Sequence, residues 1–263
     1  MKAADALNLA EERLAEAGVD TPRADAEFLV AHVLGTSRSG VHAARDRELP
    51  DEFGALLERR RNREPLAYVL GEWGFRRLVL KTDPRALVPR PETEVVVERC
   101  LALLRGEPGP RVLDLGTGSG AIALSIADER PDVRATAVDA APGAVALARE
   151  NAERLELDVE IREGDLDVAA EGWDLVVSNP PYVSPDEWDS LQPEIREWEP
   201  RDALVGERLH EEIARLASTR LIVFEVGDGQ ADHVADALAS LGYADITITP
   251  DLTGEDRVVD GRR

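Results

Sequence analysis

Residues 111–130, RVLDLGTGSGAIALSIADER, decide how the chain folds. A short apolar run, Arg111–Leu115, stops at a turn holding three glycines in five residues, and an apolar stretch of helical character follows. The C-terminal neighbour repeats the pattern: ATAVDA leads into PGAVALARENAERL. Further on, VEIREGD, WDLVVSNPP and LIVFEVG are again short apolar runs. Strands alternating with helices from about Pro91 predict a mostly parallel sheet covered on both faces by helices. The last segment, DITITPDLTGEDRVVDGRR, has two strand-like runs around a polar loop with no helix between them, which predicts an antiparallel pair closing one edge.

Toward the N-terminus the period changes. Ala3, Leu7, Ala10 and Leu14 fall at helical spacing, and Gly18 stands where a helix stops. Thr21-Pro22 supplies an N-cap with Pro at the first helical position ahead of RADAEFLVAHVLG, and Pro50-Asp51 opens DEFGALLERRRNR. From Leu66 to Leu80 the helical period is lost. FRRLVLKTDPRALVPR reads as two extended runs joined at Asp83-Pro84. The expected organisation is a helical domain over residues 1–70, an extended connector over 71–90 and an α/β domain over 91–263.

The composition of the 263 residues narrows the classes of function. Apolar residues are 43% and charged residues 32%, enough for a core and a wet surface. One cysteine, Cys100, excludes an internal disulfide framework and multi-cysteine metal sites. No apolar run approaches the roughly 18 residues of a membrane span, and MKAADALNLAEERLAEAG carries acids where a signal peptide has a basic start. A cytoplasmic protein without a membrane partner is expected. The net charge of −22 opposes polyanions, so direct nucleic-acid binding is not expected. Of 31 basic residues only Lys2 and Lys81 are lysine, a composition habit that carries no chemistry.

Two constellations carry chemistry. The first is Asp114-Leu115-Gly116-Thr117-Gly118-Ser119-Gly120. Glycines let the chain turn tightly and let a ligand approach the backbone. The spacing is G-x-G-x-G rather than the dinucleotide G-x-G-x-x-G, and an acid precedes it, which suits a cofactor bearing a positive amino or sulfonium group. Asp139 ends the second strand, where a carboxylate accepts from both hydroxyls of a ribose; Asp165 ends the third, where it can accept from an adenine amine. The second constellation is Ser178-Asn179-Pro180-Pro181-Tyr182, directly after WDLVV. Prolines fix the chain and remove donors. The Asn179 side-chain oxygen and the Pro180 carbonyl can then accept both hydrogens of a planar amino group, and Tyr182 offers a flat face to stack on it. An amide nitrogen is a poor nucleophile, and pinning its hydrogens aims it at an electrophile. No general base is evident among these residues, so the nitrogen's proton would go to water after the reaction.

DLGTGSG with NPPY resembles a class I S-adenosylmethionine-dependent methyltransferase acting on an amide or amino nitrogen. RADAEFLVAHVLG, REPLAYVLGEWGF, LVPRPETE, EPRDALVG, FEVGDGQ and DLTGEDRVVDGR narrow the resemblance to the release-factor glutamine methyltransferase family (HemK/PrmC-type) and cover nearly the whole chain. The resemblance implies a Rossmann-like α/β fold with a mostly parallel seven-stranded sheet, preceded by a small helical domain that docks the substrate. It also implies transfer of a methyl group to the side-chain amide (N5) of the glutamine in the Gly-Gly-Gln loop of peptide chain release factors, leaving S-adenosylhomocysteine. By motif position Gly116, Thr117, Gly118, Ser119, Gly120, Asp139, Asp165, Leu166 and Asn179 line the cofactor site. Asn179, Pro180, Pro181 and Tyr182 hold the glutamine, with Asn179, Pro180 and Tyr182 the catalytic set. The family carries two glycines after EPxxAL where this chain reads Val205-Gly206-Glu207, so the form of that loop is open.

Several residues have a second reading. Pro89–Glu94 reads as the start of a helix with Thr93 as its cap, while the resemblance places it beside the active site. His32, His42, His210 and His233 lack metal spacing, and Cys100 reads as core. The acids around Asp186 and at Glu194–Glu199 read as solvated faces or as a match for an arginine-rich partner. The rival functions are a glutamine methyltransferase for a ribosomal protein, an adenine or cytosine amino-methyltransferase, and a non-catalytic module that binds S-adenosylmethionine or a partner protein.

Overall fold

A computed structural model describes residues Met1–Arg263. Its contacts form two units: Met1–Glu72 with Gln192–Trp198, and Trp73–Leu191 with Glu199–Arg263.

The first unit is helical. It comprises α1 (Ala3–Glu16), α2 (Pro22–Leu34), the single turn α3 (Arg38–Val41), α4 (Glu52–Arg61) and α5 (Leu66–Leu70). The 3.6-residue spacing puts Leu7, Leu14, Leu29, Val30, Phe53, Leu57 and Val69 into one buried cluster. Gly35 ends α2 in the left-handed conformation, with φ of 60°. Thr21 stands at the cap position of α2, but its hydroxyl donates to Asp25 Oδ1 at 2.8 Å instead of accepting from the helix.

Arg60 is buried in this unit. It donates to Asp25 Oδ2 (2.7 Å), to the Glu64 carbonyl (3.1 Å) and to Glu194 Oε1 (2.8 Å), and Arg63 adds a two-pronged pair to Glu194. Glu194 lies on α9 (Pro193–Trp198), a short helix far along the chain that belongs to this unit. Within the acidic run at 194–199, Glu194 is therefore not on a solvated face, whereas Glu197 is exposed. A buried guanidinium needs several acceptors, and this chain supplies them itself.

Strands β1 (Glu72–Phe75), whose first residue still counts with the helical unit, and β2 (Leu78–Lys81) pair with each other and open the second unit. Their turn lies at Arg76-Arg77, not at the expected Asp83-Pro84 joint. Arg76 holds a positive φ of 51°, fixed by its N–H donating to Glu94 and its guanidinium to Glu129. Asp83-Pro84 instead follows β2, and Asp83 accepts from Arg85.

Next come α6 (Thr93–Leu103), β3 (Arg111–Leu115), α7 (Ala121–Glu129), β4 (Arg134–Asp139), α8 (Pro142–Leu155), β5 (Glu160–Glu163) and β6 (Trp173–Ser178). After α9 follow α10 (Leu209–Leu216), β7 (Thr219–Glu225), α11 (Ala231–Ser240), β8 (Ala244–Pro250) and β9 (Asp256–Arg262). The seven-stranded sheet has the order β5-β4-β3-β6-β7-β9-β8 and is parallel except at β9. The terminal pair closes the edge antiparallel, as its sequence predicts.

Central strands are buried on both sides, which explains their unbroken apolar runs. Val112, Val177 and Val223 face α6 and α7 with Cys100, Leu124 and Ile126. Leu113, Val176 and Phe224 face α10 and α11 with Ile213, Val234 and Leu238. Strand order reverses between β3 and β6. In open parallel sheets such a switch point leaves a crevice at the carboxyl ends of the strands, where ligands bind.

Candidate active site

Both motifs leave the sheet at that crevice. Leu115, the last residue of β3, is paired with Val138 on one side and Ser178 on the other. The glycine loop therefore emerges between Asp139 and Asn179.

The loop is bound tightly to its neighbours. Gly116 and Thr117 N–H both donate to the Val138 carbonyl, at 2.8 and 3.0 Å. Gly118 N–H donates to Asp139 Oδ2 at 2.9 Å, and Asp139 Oδ1 accepts from Ala141 N–H at 2.9 Å. Gly116, Gly118 and Gly120 have φ of 75°, 57° and 86°, the left-handed region that a side chain disfavours. At Gly120 a Cβ would also lie 2.8 Å from Leu124 Cδ1. Thr117 and Ser119 are buried. Asp165, two residues past β5, is exposed and accepts from Leu166 N–H at 2.7 Å.

Asp114 is the outlier. It is 1% exposed; its Oδ2 accepts from the Thr117 hydroxyl (2.5 Å) and Ala123 N–H (3.1 Å), while Oδ1 is buried with no hydrogen-bond partner. Burial pushes its carboxyl up to about 6, against those two donors, with Asp139 adding repulsion. An orphaned carboxylate oxygen under a glycine loop fits the positive amino group of a cofactor such as S-adenosylmethionine.

The NPPY turn is held from three directions. Ser178 Oγ donates to the Leu115 carbonyl at 2.6 Å, tying β6 to the start of the glycine loop. Val183 pairs with Val205, its N–H donating to Leu204 O at 2.9 Å while its own carbonyl accepts from Gly206 N–H at 3.2 Å. Gln230 Nε2 donates to the Tyr182 carbonyl at 3.0 Å, and Gln230 Oε1 accepts from Gly227 N–H at 3.2 Å. A Cβ at Gly227 would sit 2.9 Å from Tyr182 Cδ2, so the ring rests against bare backbone. The Tyr182 hydroxyl faces Glu225 Oε1 at 3.4 Å; burial, and then the Glu225 charge, raise its pKa.

The loop after EPRDAL keeps the one glycine it needs. A Cβ on Gly206 would lie 2.6 Å from the Pro181 carbonyl oxygen and 2.8 Å from Pro181 Cβ. Gly206→Ala should push the NPPY turn out of place, destabilise the protein by about 1–3 kcal/mol and lower turnover. Thermal unfolding alongside initial rates checks this; an unchanged variant would show that the loop yields freely.

Glu199 is 6% exposed rather than solvated, accepting from Arg90 at 2.5 Å and from Val88 N–H at 3.2 Å. It pins the Leu87–Pro91 loop. Thr93 does not cap α6, whose cap residue is Glu92; its hydroxyl donates to Glu225 Oε2 at 2.6 Å. Asn151, fully buried on α8, ties the Ser119 carbonyl (2.9 Å) to both backbone groups of Lys81. Glu225, Gln230 and Asn151 were not singled out from the sequence; Thr93 stood there only as a helix cap and Glu199 only as part of an acidic run. The signal for Glu225 is a charged residue inside the apolar run LIVFEVG, whereas Asn151 and Gln230 lie among polar residues that give none. His210 is buried, its Nε2 2.8 Å from the Glu225 carbonyl, and burial lowers its pKa.

A parallel-centred sheet whose first strand ends in an acid–glycine loop, with an NPPY turn at the neighbouring strand end, defines a class I methyltransferase. The comparisons agree on class and resolve the family. Residues 5–71 match the PrmC N-terminal domain, and residues 95–192 match the methyltransferase small domain. The release factor glutamine methyltransferase of Geobacter sulfurreducens is 40% identical, over 95% of this chain and 92% of that one. Its Escherichia coli counterpart is 39% identical over 92% and 93%. The chain belongs to the release factor glutamine methyltransferase family. Among solved structures, a methyltransferase from Pyrococcus furiosus covers 70% of this chain and 87% of its own, with a TM-score of 0.53 at 19% identity. The hMettl16 catalytic domain in complex with the MAT2A 3'UTR hairpin 6 covers 70% and 74%, with 0.56 at 14%. At those identities the likeness concerns the fold alone.

Proposed function

We propose that the protein transfers a methyl group from S-adenosylmethionine to the side-chain amide nitrogen of the glutamine in the Gly-Gly-Gln loop of peptide chain release factors. The observation that carries this reading is the NPPY turn fixed at the strand end beside the acid–glycine loop, in a chain whose family is named for release factors. Asp139 accepts from the ribose hydroxyls, and Asp165 with Leu166 holds the adenine. Residues 116–120 pass along the cofactor, and the free oxygen of Asp114 faces its ammonium group. The cofactor supplies an already activated methyl group on a sulfonium centre. The protein's part is alignment. The Asn179 side-chain oxygen and the Pro180 carbonyl accept the two amide hydrogens, Pro181 stiffens the turn and Tyr182 stacks on the amide plane. The helical unit docks the body of the factor.

The test is incubation with labelled S-adenosylmethionine and purified release factor, followed by identification of the labelled residue. A ribosomal protein and a DNA oligomer serve as controls for the rival readings. Label on the Gly-Gly-Gln glutamine is expected; preference for either control overturns the assignment.

Asp114 gives this reading a pH dependence. A cation binds the ionised carboxylate better, so affinity is full above the raised pKa of about 6 and falls as pH drops through it. Between pH 7.5 and 5 the Kd for S-adenosylmethionine should rise roughly three- to tenfold. Asp114→Asn should bind weakly and flatten the profile. Calorimetry at four pH values checks this, and an equally steep profile in the variant would remove Asp114 from the role.

A further inference from the structure

Thr93 sits between two groups that the reaction needs ordered. Its hydroxyl donates at 2.6 Å to Glu225 Oε2, a carboxyl 1% exposed on the last residue of β7, and Asn179 Nδ2 approaches Thr93 Oγ1 at 3.5 Å. A hydroxyl has one proton. Because Thr93 donates its one hydrogen to the ionised Glu225 carboxylate, it can offer Asn179 only a lone pair. Only the NH2 side of the Asn179 amide can then face it, and Oδ1 must turn the other way.

That choice matters for the proposed chemistry. An amide nucleophile presents two donors, so Asn179 serves it only with Oδ1 forward; the flipped amide would set NH2 against NH2. The two faces of a carboxamide differ little in shape, so packing alone does not select between them. We propose that Thr93 and Glu225 are positioning residues that lock the Asn179 amide with its oxygen toward the substrate. The inference rests on the reading of Asn179 as the acceptor for the substrate amide.

Glu225 takes this part in its ionised, accepting form. Burial pushes its carboxyl up to about 7, and its ionised form is supported by the Thr93 hydroxyl, by Arg257 and by the Tyr182 hydroxyl, against Glu92. It accepts from Thr93 and Tyr182 together, so one carboxylate holds both side chains of the NPPY turn, Tyr182 directly and Asn179 through Thr93. The PETE segment that follows Arg90 thereby gains a function within the site.

A double-mutant cycle tests the lock. Thr93→Val, close in shape but without the hydroxyl, should lower the single-turnover rate about tenfold with S-adenosylmethionine affinity unchanged, and Thr93→Ser should restore most of it. In an Asn179→Ala background, Thr93→Val should cost nothing further, because it acts through the residue already removed. A hydroxyl needed only for folding would lower the rate in both backgrounds and the melting temperature with it; that result overturns the inference, as does an undiminished Thr93→Val. The side-chain NH2 signals of Asn179, assigned by their loss in Asn179→Ala, supply a readout without substrate. They should shift in Thr93→Val and not in Thr93→Ser. Unchanged signals overturn the lock whatever the substrate, whereas shifted signals in a protein that leaves glutamine unmethylated would fault the functional reading alone.

Discussion

Asn179→Ala is expected to lower the single-turnover rate a hundredfold or more while S-adenosylmethionine still binds. The acceptor it removes acts on the nucleophile as charge develops, and groups placed this way contribute roughly two to three orders of magnitude to rate. Binding should largely survive because the other residues assigned to the cofactor are held without the Asn179 side chain: Asp139 by Gly118 and Ala141, and the glycine loop by Val138. The turn should also survive, since Ser178, Gln230 and Gly206 secure it without the Asn179 side chain. Single-turnover kinetics with calorimetry separates the two effects. A loss under about tenfold would reduce NPPY to a structural turn.

Intact release factor is expected to be methylated with kcat/KM about a hundredfold or more above a short peptide carrying Gly-Gly-Gln. A glutamine on a free peptide loses conformational freedom on entering a site that touches only its side chain. A folded factor docked on a second surface delivers the loop intramolecularly, and linked binding of this sort yields gains on the order of 100–10,000-fold. The helical unit is suited to present such a surface. Its core is complete, and its buried Arg60 cage joins α2, α4 and α9 into one body. Rates on both substrates with the 263-residue protein decide the point, and equal kcat/KM values would remove the docking role.

The glycine loop at 116–120 and the NPPY turn were legible because their spacing is local. Strand, turn and helix follow one another within twenty residues, and prolines and glycines mark the backbone directly. The hairpin turn was misplaced for the complementary reason. Asp83-Pro84 carries the stronger local turn signal, yet Arg76 takes a left-handed conformation because Glu94 and Glu129, far along the chain, hold it there. Thr93 was read as a cap for the same reason: a threonine near a helix start looks like one until Glu225, 132 residues on, accepts its hydrogen bond. Glu194 and Glu199 looked solvated because an acidic run gives no sign of the arginines it will meet.

By itself the sequence determined the α/β class, the sheet's parallel centre and antiparallel edge, and the two motifs, since each depends on periodicity or on residues adjacent in the chain. The tertiary structure alone decided which acids are paired, that α9 belongs with the N-terminal helices, that Asp114 keeps an unpartnered oxygen, and that Thr93 and Glu225 meet beneath Asn179. Those outcomes depend on which distant groups share a buried volume. There a polar group must find whatever partner the packing brings, and no local pattern encodes that partner.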